Sequence, residues 1–425
     1  MKMQVLSEIM LQNPALQNPP SLAKTDLPYI ERQQIISLLD SIWDPLVTIL
    51  LGPRQAGKTT LGRHLSQKIV EQGRYPACIY LNCDTVILRE WLISATVIQD
   101  LQEEFGLERF ILFIDEVQRL ENPGLLIKQI IDLKFPIKLM VSGSSQLELK
   151  SKVQEHLTGR QITALILPLS YEEINQPLKS EEQLIYGCYP QIVLSREKKL
   201  LLSMLYQQYI EKDVIEILKV GQPLLMTKLL GLIAHSSGQL VNYQTLATDC
   251  QSTIPTIKNY LSILEASYVL QALYPFVGNK RQEITANPKY YFLDNGFRNQ
   301  ALGNFAELNA RTDKGFLVES AVFQEIIKFR AQHFLDFKIH FWRTKSGAEM
   351  DFVLIHQEKI IAVEVKFQSF KEPKLSRSFR SFIDAYQPVQ AWIITQDFTA
   401  KMQLGITEIS FIPLRKLYRL FAALK

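Results

Sequence analysis

The feature that most constrains this chain is Gly52-Pro53-Arg54-Gln55-Ala56-Gly57-Lys58-Thr59, placed between the apolar run LVTILL and helical text that opens at Thr60. The spacing GxxxxGK[ST], in the order strand, loop, helix, is that of a phosphate-binding loop. Its glycines let the backbone curl until successive N–H groups and a helix N-terminus face an anion. On this chemistry, residues 52–60 hold ATP, Lys58 reaches the β- and γ-phosphates, and the Thr59 hydroxyl ligates Mg²⁺. Such a loop belongs at the end of a parallel strand. ACIYLNCD, RFILFIDEV and IKLMVSGSS are near-continuously apolar and separated by helical patterns, as strands covered by helices on both faces must be. The expectation is an α/β fold: a parallel P-loop NTPase sheet covered by helices.

Acids and hydroxyls stand where such a sheet would place them. Asp115-Glu116 ends the strand RFILFIDE, which suits a Walker B pair: Asp115 supports the metal through water and Glu116 polarises the attacking water. Capping of the following helix is the structural alternative. IKLMVSGSS ends in Ser142, Ser144 and Ser145, and either Ser144 or Ser145 suits a sensor of the γ-phosphate, against a plain serine-rich turn. Arg160 follows a glycine before another strand. It is read either as a surface arginine or as a transition-state contact in its own or a neighbouring subunit.

The remaining text divides the chain. Residues 1–28 form a Pro-rich leader, poorly ordered or docked. Residues 29–175 carry the loop and its sheet, and 176–227 form a helical connector in which LLSMLYQQYIEKDVIEIL is the clearest amphipathic helix. Residues 228–300 read as a winged-helix unit, two short helices followed by strand text. Ser252-Thr253 is a helix cap there, Lys258 and Asn259 take exposed positions, and Asn279-Lys280-Arg281 suits a wing that meets phosphates. Residues 301–425 alternate helix and strand: helix LVESAVFQEIIKFR, strands KIHFWRT, EMDFVLI and KIIAVEVKF, helix SRSFRSFIDAY and a last strand, VQAWIITQ.

The whole chain is only +4, but residues 315–425 hold 16 Lys+Arg against 11 Asp+Glu. A basic surface therefore belongs mainly to the last quarter, which permits polyanion binding. The four cysteines lack metal-site spacing, and the longest uncharged run, 229–248, carries His235, serines and glutamines. These features exclude a disulfide scaffold and an apolar membrane span, and point to a cytoplasmic chain without a membrane partner.

A second constellation lies in WRTKSGAEMDFVLIHQEKIIAVEVKF. Strand alternation puts Glu364 and Lys366 on one face, and a hairpin brings Asp351 beside Glu364. Two carboxylates and a backbone carbonyl make a hard-oxygen site for Mg²⁺ or Mn²⁺, with Lys366 to orient or deprotonate water. A solvated ion pair is the alternative, but Ala362, Val363, Val365 and Phe367 make the strand look buried. The spacing resembles the PD-(D/E)XK nucleases. That resemblance implies an α/β restriction-endonuclease-like domain and a further acid at Glu319, in the helix LVESAVFQEI.

GPRQAGKTTL, YLNCD, FIDEVQRL, SGSSQ and LTGR…LPLSYEEI, followed by GCYP, YIEKDV, TIKNYLSILEASYVL and KYYFLDNGF, stand in the order of a known family. The chain resembles AAA+ ATPases of bacteria and archaea fused to a C-terminal nuclease-like domain. Cys188 departs from the glycine common at that place, which touches only local turn geometry. The resemblance implies ATP hydrolysis that rearranges a nuclease-like module acting on or binding DNA, in a homo-oligomer or nucleotide-dependent assembly. A regulatory switch whose C-terminal domain binds a protein or nucleic acid without cutting it is the other reading.

Overall fold

The computed structural model describes residues 2–16, 29–41, 46–144, 159–174, 180–217, 221–276 and 287–424. It divides into two compact units, Met1–Leu167 and Pro168–Lys425. In the first, β1 (Val47–Leu51), β2 (Cys78–Asn82), β3 (Ile111–Asp115), β4 (Lys138–Gly143) and β5 (Gln161–Leu165) form one sheet in the order β2-β3-β4-β1-β5. Every pairing in it is parallel. Alternation decides which core each side chain joins. Val47, Ile49 and Leu51 enter one apolar cluster, while Leu50 enters the other with Tyr80, Phe113 and Met140. Both faces of the sheet are thus dry, the condition its unbroken apolar strands require.

Helix α1 (Met3–Gln12) opens the leader and is docked through buried Val5 and Ile9. It also closes the sheet's edge. Asn13 accepts from Tyr80 N (2.8 Å) and donates to Tyr80 O (2.7 Å), and Gln12 Oε1 accepts from Asn82 N (2.8 Å). Side-chain amides here replace the missing neighbour of an edge strand. Pro19, Pro20 and Pro28 lie outside the described residues.

In the second unit, the amphipathic text at 198–217 is α-helical over Lys198–Gln207 and continues as a π-helix over Gln208–Ile217. Helices Tyr243–Asp249 and Ile254–Ala266 follow, capped by Asn242 and Thr253. Then β6 (Leu270–Leu273) pairs antiparallel with β7 (Lys289–Phe292). Residues 279–281 lie outside the described residues.

The last segment runs from a long helix, α2 (Lys314–Gln332), through β8 (Lys338–Arg343), β9 (Glu349–His356) and β10 (Lys359–Val365). It continues with helix α3 (Arg377–Tyr386) and β11 (Gln390–Thr395). Strands β8, β9 and β10 are antiparallel neighbours, while β10 pairs parallel with β11. The sequence reading ends its strands at β11. The sheet in fact continues with β13 (Thr407–Pro413) and, at its edge, β12 (Ala400–Leu404), in the order β12-β13-β11-β10-β9-β8. Polar positions such as Lys401 and Gln403 hide β12 from a search for apolar runs, because an edge strand exposes them. Among the described residues, no helix is long and apolar enough to cross a membrane, and all four cysteines are free.

Candidate functional site

The loop after β1 curls as its glycines predict. Gly52 (φ 142°), Gln55 (φ 57°) and Gly57 (φ 95°) all take positive φ. A Cβ on Gly52 would lie 2.0 Å from Ile166 O, so only glycine fits there. Lys58 begins the helix Lys58–Glu71, is 4% exposed, and donates to Gly52 O (3.0 Å) and Pro53 O (2.8 Å). Pro53 and Ala56 are buried, Arg54 and Gln55 half-buried, and Thr60 exposed on the helix's first turn. Arg32, which sequence reasoning missed, braces the loop by donating to Ala56 O (3.0 Å) and Leu167 O (2.6 Å).

The parallel sheet brings the ends of β3 and β4 beside this loop. Asp115, 2% exposed, accepts from Thr59 Oγ1 (2.6 Å), Tyr80 OH (2.8 Å) and Ser142 Oγ. Burial and the neighbouring Asp115 push the Tyr80 phenol up, so it stays a donor. Glu116 takes a left-handed turn (φ 53°, ψ 41°) and accepts from Gln118 Nε2 and Ser144 Oγ (3.4 Å). Gln118 also donates to Ser144 Oγ (3.0 Å). Ser144 therefore sits beside Glu116, while Ser145 lies outside the described residues. Tyr80 and Gln118 carry no motif signal; only the fold shows their role.

Arg160 is not brought to this loop. It stands one residue before β5, where its carbonyl accepts from Val47 N (3.0 Å), while the loop follows Leu51 at the other end of β1. Five residues of strand separate the two, roughly 16 Å at the usual rise. The half-exposed guanidinium instead pairs with Asp132 at 2.6 Å.

In the second unit the hairpin pairs Val363 with Phe352, which sets Asp351 opposite Glu364 one step further on. Asp351 Oδ2 accepts from Val365 N (2.7 Å). Glu364, 3% exposed, accepts from Ser376 Oγ (2.8 Å) and pairs with Lys366 Nζ (3.0 Å). Burial pushes the Asp351 carboxyl up to about 8, reinforced by Glu319 and Glu364 and opposed by the Val365 N–H and Lys289. Burial would lower the Lys366 amine, but Glu364 outweighs it and the amine stands above its ordinary value.

Glu319 enters from α2, and sequence reasoning missed its company. Tyr291 OH donates to Glu319 Oε1 at 2.5 Å, and Lys289 Nζ lies 3.6 Å from the same oxygen and 2.5 Å from Glu349 Oε1. Lys289 and Tyr291 share a face of β7, a period-2 signal that the text KYYF carried. Among the described residues, no group of three or more His, Cys, Asp or Glu side chains is gathered to hold a metal ion.

Residues 44–175 match the family model described as AAA domain. This part of the chain is a P-loop domain of the AAA type. Residues 178–308 and 314–417 match two models each described as a domain of unknown function, DUF8612 and DUF4143. An uncharacterized protein of Haemophilus influenzae is 22% identical over 402 residues, covering 89% of this chain and 96% of its own. One of Mycobacterium tuberculosis is 25% identical over 340 residues, covering 79% and 73%. Among solved structures, the Walker-type ATPase of Pyrococcus abyssi is similar with a TM-score of 0.41 and 16% identity, covering 67% of this chain and 99% of that one.

Proposed function

We propose that the first unit binds and hydrolyses ATP with Mg²⁺, and that this turnover rearranges the C-terminal unit, whose acid cluster acts on or binds DNA. The observation that carries the ATPase reading is the Thr59–Asp115 hydrogen bond of 2.6 Å beside the curled loop. A hydroxyl and a carboxylate, with Ser142 and Tyr80 on the same carboxylate, are the hard-oxygen donor set a magnesium ion requires. Bound there, the ion neutralises charge on the phosphates. Lys58 exchanges two loop carbonyls for phosphate oxygens. Glu116, already aimed by Gln118 and Ser144, accepts the proton of the attacking water.

The order α2-β8-β9-β10-α3-β11, with three antiparallel strands and then a parallel one, supports the nuclease-like reading of the last segment. The two-helix and hairpin arrangement before it supports the winged-helix reading. Asp351 and Glu364 suit one Mg²⁺ or Mn²⁺ ion, which supplies Lewis-acid stabilisation of a phosphate. Lys366, held charged by Glu364, orients the substrate or water and does not serve as the base. Glu319 is engaged by Tyr291 and Lys289. That engagement favours the second reading, a nucleotide-dependent switch that binds its partner without cutting it.

Two variants of the purified chain separate these readings. Lys58→Ala is expected to abolish ATP turnover, and retained turnover defeats the ATPase assignment. Asp351→Ala is expected to remove Mn²⁺-dependent DNA nicking while turnover persists. A wild-type chain that nicks DNA with neither metal leaves the switch.

A further inference from the structure

Fifteen residues beside the acid cluster carry the chain's whole charge surplus. Residues 366–380 contain Lys366, Lys371, Lys374, Arg377 and Arg380 against the single acid Glu372. That excess of four equals the net +4 of all 425 residues. The Lys371, Lys374, Arg377 and Arg380 side chains are exposed and make no ion pair or side-chain hydrogen bond. Exposed Lys401, by contrast, pairs with Glu408 at 2.6 Å.

The strip is also fixed in place. Ser376 caps α3 by accepting from Phe379 N (3.0 Å), and its hydroxyl donates to Glu364 Oε1 (2.8 Å). One serine thus ties the N-terminus of the basic helix to the acid cluster. Phe379, Phe382 and Ile383 bury the other face of α3, so Arg377 and Arg380 stay outward, one turn apart. The antiparallel register puts the turn before β9, with exposed and unpaired Lys345, at this same end of the sheet.

We propose that Lys371, Lys374, Arg377 and Arg380 form the landing surface for the phosphodiester backbone of duplex DNA, directing it toward Asp351, Glu364 and Lys366. This rests on the reading of the acid cluster as a DNA-directed site. Unpaired lysines and arginines on the segment that follows the carboxylate-bearing strand hold a polyanion by releasing its counterions, without reading its sequence. The carboxylate-lysine cluster beside the strip, read as a metal site directed at phosphodiesters, favours a nucleic acid over an acidic protein surface as the occupant.

The test is fluorescence anisotropy of the full chain with a random duplex of about 30 base pairs across a salt series. Replacing all four residues with glutamine should weaken binding about 10- to 100-fold and flatten the slope of log K against log salt by about 3 to 4. A thermal midpoint within about 2 °C of wild type confirms that the variant folds, since exposed substitutions change stability little. Unchanged affinity and slope overturn the proposal, as does displacement of DNA by polyglutamate of equal charge at equal potency. The double variant Asp351→Asn/Glu364→Gln separates the two ideas: it should lose nicking and keep DNA. Salt-sensitive binding through the strip with no nicking in any metal sinks the nuclease reading alone. Nicking that survives undiminished in the four-residue variant sinks the landing surface alone.

Discussion

The loop of the first unit and the acid cluster of the second hold similar residue types, yet they are assembled in opposite ways. The loop is a continuous piece of chain, Gly52 to Thr59, and its partners are the ends of two neighbouring parallel strands. The acid cluster draws Lys289 and Tyr291 from β7, Glu319 from α2, Asp351 and Glu364 from a hairpin, and Ser376 from the cap of α3. Its members are joined by side-chain contacts across 28 and 12 residues of chain. A contiguous site depends on backbone shape; a dispersed one depends on ion pairs buried between segments. The first should lose chemistry under substitution with its stability unmoved, and the second should change stability as well.

The largest effect is expected at the loop site. Glu116→Gln keeps the shape of the side chain and removes the base, so ATP binding persists while turnover falls by about 10²- to 10³-fold. Single-turnover hydrolysis measures the loss, and the thermal midpoint should not move. Turnover within a few-fold of wild type means that Glu116 is not the base.

A smaller, purely structural effect is expected at β7. Lys289 is 2% exposed between Glu319 and Glu349; burial alone would lower its amine, but the two carboxylates hold it above its ordinary value. Lys289→Met leaves both carboxylates without their shared cation, a loss of about 3 kcal/mol by analogy with broken buried pairs. Chemical denaturation of the second unit reads that loss. Adding Glu319→Gln should recover part of it, and strict additivity of the two changes would show that the residues do not interact. The comparison itself then weakens, because the cluster would no longer depend on its dispersed partners.

The same contrast explains what was legible beforehand. Strands β1 to β4 and the Gly52–Thr59 loop were readable because their chemistry is written in consecutive residues. The Glu364-Lys366 pair was readable because alternation on one strand is local. Lys289, Tyr80 and Gln118 were not, since each acquires its partner only when the chain folds back on itself. The engagement of Glu319 by Tyr291 and Lys289 was hidden for the same reason, as was edge strand β12 with its polar text. The distance of Arg160 from its own loop follows from parallel register, which sequence spacing does not encode.

Two aspartates of the second unit give the finest comparison, because folding moves them in opposite directions. Burial would raise Asp313, but Arg311 and Arg298, at 2.8 and 2.9 Å, overcome it and hold the carboxyl at about 2. A lowered acid stabilises the fold above its unfolded value near 4, and that contribution disappears as the pH falls toward 2. Asp351, raised to about 8, does the reverse. The folded chain retains a proton there that the unfolded chain has released, so stability declines as the pH climbs from about 4 to about 8. Asp313→Asn should therefore cost about 1 kcal/mol at neutral pH, discounted for the partial exposure of its carboxylate, and nothing near pH 2. Asp351→Asn should be neutral near pH 4 and stabilising near pH 8. Thermal midpoints of both variants between pH 2 and 9 give two curves that diverge from wild type at opposite ends. Parallel curves would mean that neither carboxyl is perturbed by the fold, and the acid cluster would then hold no charge strain for a cation to relieve.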